Sequence, residues 1–204
     1  MIATTEFRLA IANNDIEKAR SLVGDLINIP KADTESEYND LYDLVNFAVK
    51  KGRVEILEAL VSGFKHLSTN GRRLAKYCLY TSFHSGQMEC AQSLQHFFPS
   101  EVFFCLPSAT QNDHVHMLEH FLPPFNPDST DVTRLLIVAW QYDSPQCFDY
   151  LLPQCTEVDT DEVARRFGAR KEGVEFTAHV AARRQKLVLL CEVAEDGRPR
   201  NRKM

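Results

Sequence analysis

Glycine is sparse and never clustered in this chain: the 204 residues hold eight glycines, each standing singly. A phosphate-cradling Gly-x-x-x-x-Gly-Lys-Ser/Thr loop needs several in register, so that mode of nucleotide binding is excluded. The six cysteines, Cys78, Cys90, Cys105, Cys147, Cys155 and Cys191, form no Cys-x-x-Cys pair. A zinc knuckle or a dithiol redox motif therefore lacks its basic unit, and buried free thiols in a reducing compartment are expected. No Gly-x-Ser-x-Gly elbow is present to raise a nucleophilic serine, and no other catalytic constellation emerges. The carboxylates Asp159 and Asp161 lie in a connecting segment, where they read as helix caps. No apolar run approaches the roughly 18 residues of a membrane span. Cations are also short, with 23 Lys and Arg against 28 Asp and Glu and a net charge of −5, which argues against general nucleic-acid binding. The first residues, Met1 to Arg8, have no basic segment ahead of an apolar run, so no secretory signal is expected and the location is read as cytoplasmic.

What the sequence does contain is a recurrence. Asn14-Asp15-Ile16-Glu17, Gly52-Arg53-Val54-Glu55 and Gly86-Gln87-Met88-Glu89 each set a turn residue before an apolar-acidic pair. Divergent copies follow at Asp113-His114-Val115-His116, Asp143-Ser144-Pro145-Gln146 and Glu172-Gly173-Val174-Glu175. With the six anchors fixed at 14, 52, 86, 113, 143 and 172, other columns align. Four residues before each anchor stand Ala10, Ala48, Ser82, Ala109, Ala139 and Gly168, all small. Seven before come Phe7, Val45, Leu79, Leu106 and Leu136, with Arg165 the exception. Two after come Ile16, Val54, Met88, Val115, Pro145 and Val174, and eight after come Leu22, Leu60, Leu94, Phe121, Leu151 and Val180. Apolar residues at this spacing predict a helix, a tight turn at the anchor and a second helix. One such hairpin cannot bury both faces, so the units are expected to stack, with the small column permitting close approach.

The pattern resembles the ankyrin repeat, most closely at Gly52-Arg53-Val54-Glu55-Ile56-Leu57-Glu58-Ala59-Leu60-Val61. The resemblance covers roughly residues 4 to 182. It implies an all-α, ankyrin-like solenoid of about six helical hairpins forming a single domain over 1–194. The Thr-Pro-Leu-His opening and the Gly-Ala-Asp-Val-Asn lead into the β-finger are missing from every copy, so short or absent fingers are expected. The connections at 26–38 and 62–71 are the ones long enough for a finger; Phe97-Phe98-Pro99-Ser100 is too short. A helix around 174–193 is expected to cap the stack, and the basic segment 195–204 reads as a disordered tail and a candidate nuclear-localisation tag.

For function, the resemblance implies a non-enzymatic protein-protein interaction module, an adaptor or inhibitor that binds a partner protein on its concave face without a cofactor. The residues closing each first helix would line that face: Lys50, Lys51, His84, Gln111, Asn112, Gln141, Tyr142, Arg170 and Lys171. With Arg72 and Arg73, the cations among them favour an acidic peptide. Trp140, the single tryptophan, is read as core. The alternative is a metal-binding or enzymatic protein using His114 to His120, because His116 and His120 share a helix face at four-residue spacing. Met117 occupies the position where the usual metalloprotease motif has glutamate, and a third ligand would have to come from His96 or Cys90. A monomer is expected, with dimerisation through Leu187 to Leu190 as the competing arrangement.

Overall fold

A computed structural model of the chain describes residues 2–28, 35–64, 69–168 and 170–196. The described residues are mostly helical, without a strand. Twelve α-helices occur among them: α1 (Ile2–Asn13), α2 (Ile16–Asn28), α3 (Glu35–Lys50), α4 (Val54–Phe64), α5 (Thr69–His84), α6 (Met88–Leu94), α7 (Val102–Gln111), α8 (Val115–Phe121), α9 (Ser129–Gln141), α10 (Pro145–Leu151), α11 (Thr160–Phe167) and α12 (Lys171–Asp196). Most of the two connections long enough for β-fingers is helix; 29–34 and 65–68 within them lie outside the described residues.

Five of the six anchors are turns of one kind. Asn14, Gly52, Gly86, Asp113 and Asp143 all have positive φ, between 53° and 63°. In each, the next residue donates its N–H to the carbonyl of the small column: Asp15 to Ala10 (2.9 Å), Arg53 to Ala48 (3.0 Å), Gln87 to Ser82 (2.9 Å), His114 to Ala109 (3.0 Å) and Ser144 to Ala139 (2.8 Å). The anchor's own N–H reaches the carbonyl three residues back, as from Gly52 to Val49 at 2.8 Å. This pair of bonds is a Schellman cap, which satisfies carbonyls that a helix end leaves open and needs a residue tolerant of left-handed backbone. Glycine, asparagine and aspartate are the residue types that supply it.

The sixth anchor is a correction. Glu172 lies inside α12, and the chain turns instead at Gly168, where φ is +60° and the N–H reaches the Ala164 carbonyl at 2.7 Å. Gly168 is thus the turn itself, not a small residue within a first helix. The column two after each anchor is also corrected. Ile16, Val54, Met88 and Val115 are only half-buried, and Pro145 and Val174 are exposed, because in the first five units this position opens the second helix. The columns at minus four, minus seven and plus eight are core: Ala48, Leu79, Leu106, Ala109, Leu136, Leu94 and Leu151 have no accessible surface. Each large apolar side chain so buried contributes about 1.5–3 kcal/mol.

The chain divides into two compact units, Met1–Asn126 and Pro127–Met204. In the first, α1, α3, α5 and α7 adjoin in that order; α2, α4 and α6 adjoin likewise, and each first helix packs on the second helix that follows it. The result is two helical layers enclosing Phe7, Ile56, Phe64, Phe83 and Leu118, with Phe83 and Phe121 rings 4.7 Å apart. In the second unit α9 packs on α10 and α11, and α11 on α12. Asp159 caps α11 by accepting the Glu162 N–H (3.0 Å), accepts a hydrogen bond from the Thr130 hydroxyl, and donates its own N–H to Thr133 Oγ1 (3.0 Å), which ties the start of α11 to α9. The Thr130 bond and the cap hold its carboxyl below the ordinary range. Beside it the buried Glu162 pairs with Arg165 (2.5 Å) and Arg134 (3.2 Å), and these guanidinium contacts lower its pKa likewise. At 26 residues α12 is the longest helix. The side chains of Leu187 to Leu190 and the whole of 197–204 lie outside the described residues. No helix is long and apolar enough to cross a membrane among the described residues.

Candidate functional site

The turns that close the first helices also join neighbouring hairpins, through Arg53, His114 and His116. Arg53, just past its anchor, sends its guanidinium back to the Ile11 and Ala12 carbonyls at 3.0 and 3.3 Å, the open C-terminal end of α1. His114, at the same place one unit after Gly86, donates Nε2–H to the His84 carbonyl at 3.1 Å, and His116 donates to the Gly86 carbonyl at 3.0 Å. A cationic or N–H-bearing side chain is favoured where helix carbonyls converge. Burial is the main reason the His114 pKa lies below its usual value, against the raising effect of the His84 carbonyl.

These contacts occupy the histidines that the sequence offered as metal ligands. The Nε2 of His116 carries a proton toward Gly86, Gln92 donates its amide to His120 Nε2 at 3.2 Å, Cys90 is buried, and the His96 ring lies against Phe97 at 3.9 Å. Among the described residues no three His, Cys, Asp or Glu side chains gather as a metal site.

The residues expected to bind a partner fall into both units. In the first, Lys50 and Lys51 are exposed at the end of α3, and the Lys51 ammonium sits 5.7 Å from the centre of the Phe47 ring, which Arg8 also approaches at 5.4 Å. His84 and Asn112 meet: the Asn112 amide donates to His84 Nδ1 at 3.0 Å and to the Ser108 carbonyl at 2.8 Å. Gln111 is half-buried beside them in sequence. In the second unit Tyr142 is 52% exposed and borders, with Gln141, a cleft of about 520 Å³ that includes Trp140 and Arg166. Gln141 accepts from Arg166 at 3.0 Å. Lys171 pairs with Glu175 at 2.7 Å, and Arg170 is exposed. Trp140 is half-buried, its ring edge-on to Phe167 and Phe176.

A richer site lies on the first-helix layer of the first unit, one to two turns back from the predicted row. Tyr77, Tyr80 and His84 form a line of near-parallel rings along α5, with centres 6.3 and 6.1 Å apart. Tyr42 of α3 stands edge-on to Tyr77 at 4.5 Å, and the Tyr77 hydroxyl donates to Asn46 at 3.1 Å. Across from them Phe104 of α7 is 75% exposed and Tyr80 is 42% exposed. Tyr42, Tyr77, Tyr80 and Phe104 line a cleft of about 360 Å³ together with Arg73, Lys76 and Glu101. The signal for this site was available in the columns six and nine residues before the anchor, where Tyr80, Tyr77 and Phe104 stand. Those columns vary in polarity from unit to unit, so they do not register as a repeat.

Cys78, Cys90 and Cys105 are held as thiols by burial, which pushes them up to about 12, about 11 and about 12. In a Cys191→Ser variant, a disulfide exchange reagent at pH 8 is expected to label the five remaining cysteines only as fast as the protein opens. Five equivalents reacting within mixing time would contradict the packed core.

Compared with known proteins, the chain matches no family model, no curated protein sequence and no solved structure.

Proposed function

We propose that this chain is a non-enzymatic binding protein of ankyrin type, an adaptor or inhibitor whose first-helix layer captures a partner protein inside the cell. The reading is supported by the five-fold recurrence of the anchor turn, by the two helical layers of the first unit, and by buried cysteines that form no disulfide among the described residues, as suits a reducing compartment. The observation that carries it is the exposure of Phe104 and Tyr80 around one cleft. Aromatic residues are frequent anchors of protein interfaces, and burying two of them in a complex would recover several kcal/mol.

The test is site-specific crosslinking. A photo-reactive residue at position 104 is expected to trap one protein species from native extract, whereas the same group at position 20, on the exposed side of α2, is not. Trapping should disappear in Tyr80→Ala at unchanged thermal stability and survive Lys50→Glu with Lys51→Glu only weakly reduced. Identical products from positions 104 and 20 would refute a partner site on the first-helix layer.

A further inference from the structure

The charges around the aromatic cleft define what kind of segment it can hold, an inference that rests on the partner-binding reading above. Two cations and one carboxylate border it. Lys76 is neutralised by a direct ion pair to Glu101, but Arg73 is exposed and makes no ion pair among the described residues. Among the described residues the cleft is therefore left with one uncompensated guanidinium, on a chain whose net charge is −5. A cationic ligand would meet Arg73 as a like charge, and a single free cation is too little for a phosphate backbone, whose binding scales with the number of phosphates neutralised. Arg73, Tyr77 and Tyr80 follow one another at helical spacing on α5, so Arg73 and Tyr80 are separated by about 10 Å along the helix. An extended peptide covers that length in about three residues.

We propose that the cleft between α5 and α7 receives an extended acidic segment of the partner protein. One of its carboxylates sits on Arg73, and an apolar side chain about three residues away enters between Tyr80 and Phe104. Arginine offers a planar fork matched to a carboxylate, and the exposed phenylalanine supplies apolar area that remains wet until the segment arrives.

The full chain is used to select from a random linear-peptide display library, and enriched sequences are remade as synthetic peptides for calorimetry. Acidic sequences with an aliphatic or aromatic residue about three positions from a carboxylate are expected to emerge. Their affinity should fall at least about tenfold in Arg73→Glu and in Phe104→Ser, fall by less in Arg73→Lys, which keeps the charge but loses the planar fork, and weaken with added salt. Both positions are exposed, so circular dichroism and thermal melting will show that the variants keep the fold. Enriched peptides that are neutral or basic, or that ignore Arg73→Glu, overturn the acidic segment while leaving a protein-binding cleft. No enrichment, or binding of a single-stranded oligonucleotide with loss in Phe104→Ser, overturns both.

Discussion

Gly86→Ala is expected to destabilise the protein by about 3 kcal/mol, against about 1–2 kcal/mol for the same change at Gly52. Both glycines hold left-handed backbone, with φ of 63° and 61°, so each substitution incurs the steric cost of a Cβ in that region. They differ in what the new methyl group would meet. At Gly86 it would stand 2.8 Å from Nδ1 and 2.9 Å from Cγ of His114, the side chain that reaches back to the His84 carbonyl. At Gly52 the nearest atom is Gln87 Oε1 at 3.8 Å, an ordinary contact. Relieving the clash requires the imidazole to move, and that movement breaks the hydrogen bond joining the third hairpin to the fourth. The two causes separate in a double-mutant cycle under urea denaturation: in a His114→Ala background the cost at Gly86 should drop to that at Gly52. Equal costs at the two glycines in the wild-type background would show that the ring yields freely.

Ala109→Leu is expected to cost about 3 kcal/mol, near the upper end of what overpacking a core does. Ala109 has no accessible surface, sits on α7 where that helix packs against α5 and α8, and gives its carbonyl to the anchor turn through the His114 N–H. Three additional carbon atoms there must displace either a neighbouring helix or the cap. The matched control is Ala12→Leu, at an exposed position near the end of α1, where a change within about 0.5 kcal/mol is expected. A similar small effect at both sites would mean that the small column reflects composition and not close packing.

The candidate surface was legible only in part. His84 and Asn112 are brought together by a hydrogen bond, and Tyr142 is exposed beside a cleft, so a polar row at the ends of the first helices was a fair guide to accessible residues. Lys51 rests over Phe47 and Lys171 pairs with Glu175, contacts that a linear reading does not contain. Two ligating side chains at four-residue spacing, as in the histidine segment, look the same in sequence whether they face a metal or a carbonyl. In the structure His116 and His120 meet Gly86 and Gln92, which lie 30 and 28 residues away.

The sequence alone specifies the all-helical class, five turns to the residue and the core columns around them. Those features depend on local causes: which residues tolerate positive φ, and which side chains recur with the helical period. It misplaced the sixth turn because Glu172-Gly173-Val174-Glu175 imitates the anchor pattern, although the chain had already reversed at Gly168 and Arg165 had broken the apolar column. Packing between helices is what gathers Tyr77, Tyr80 and Phe104 around a cleft and buries Leu79 and Leu106, two positions from Tyr77 and Phe104 respectively. All five are large and apolar in character. Which of them is covered depends on where the next helix lies, and that is fixed by packing between hairpins that no single stretch of sequence encodes.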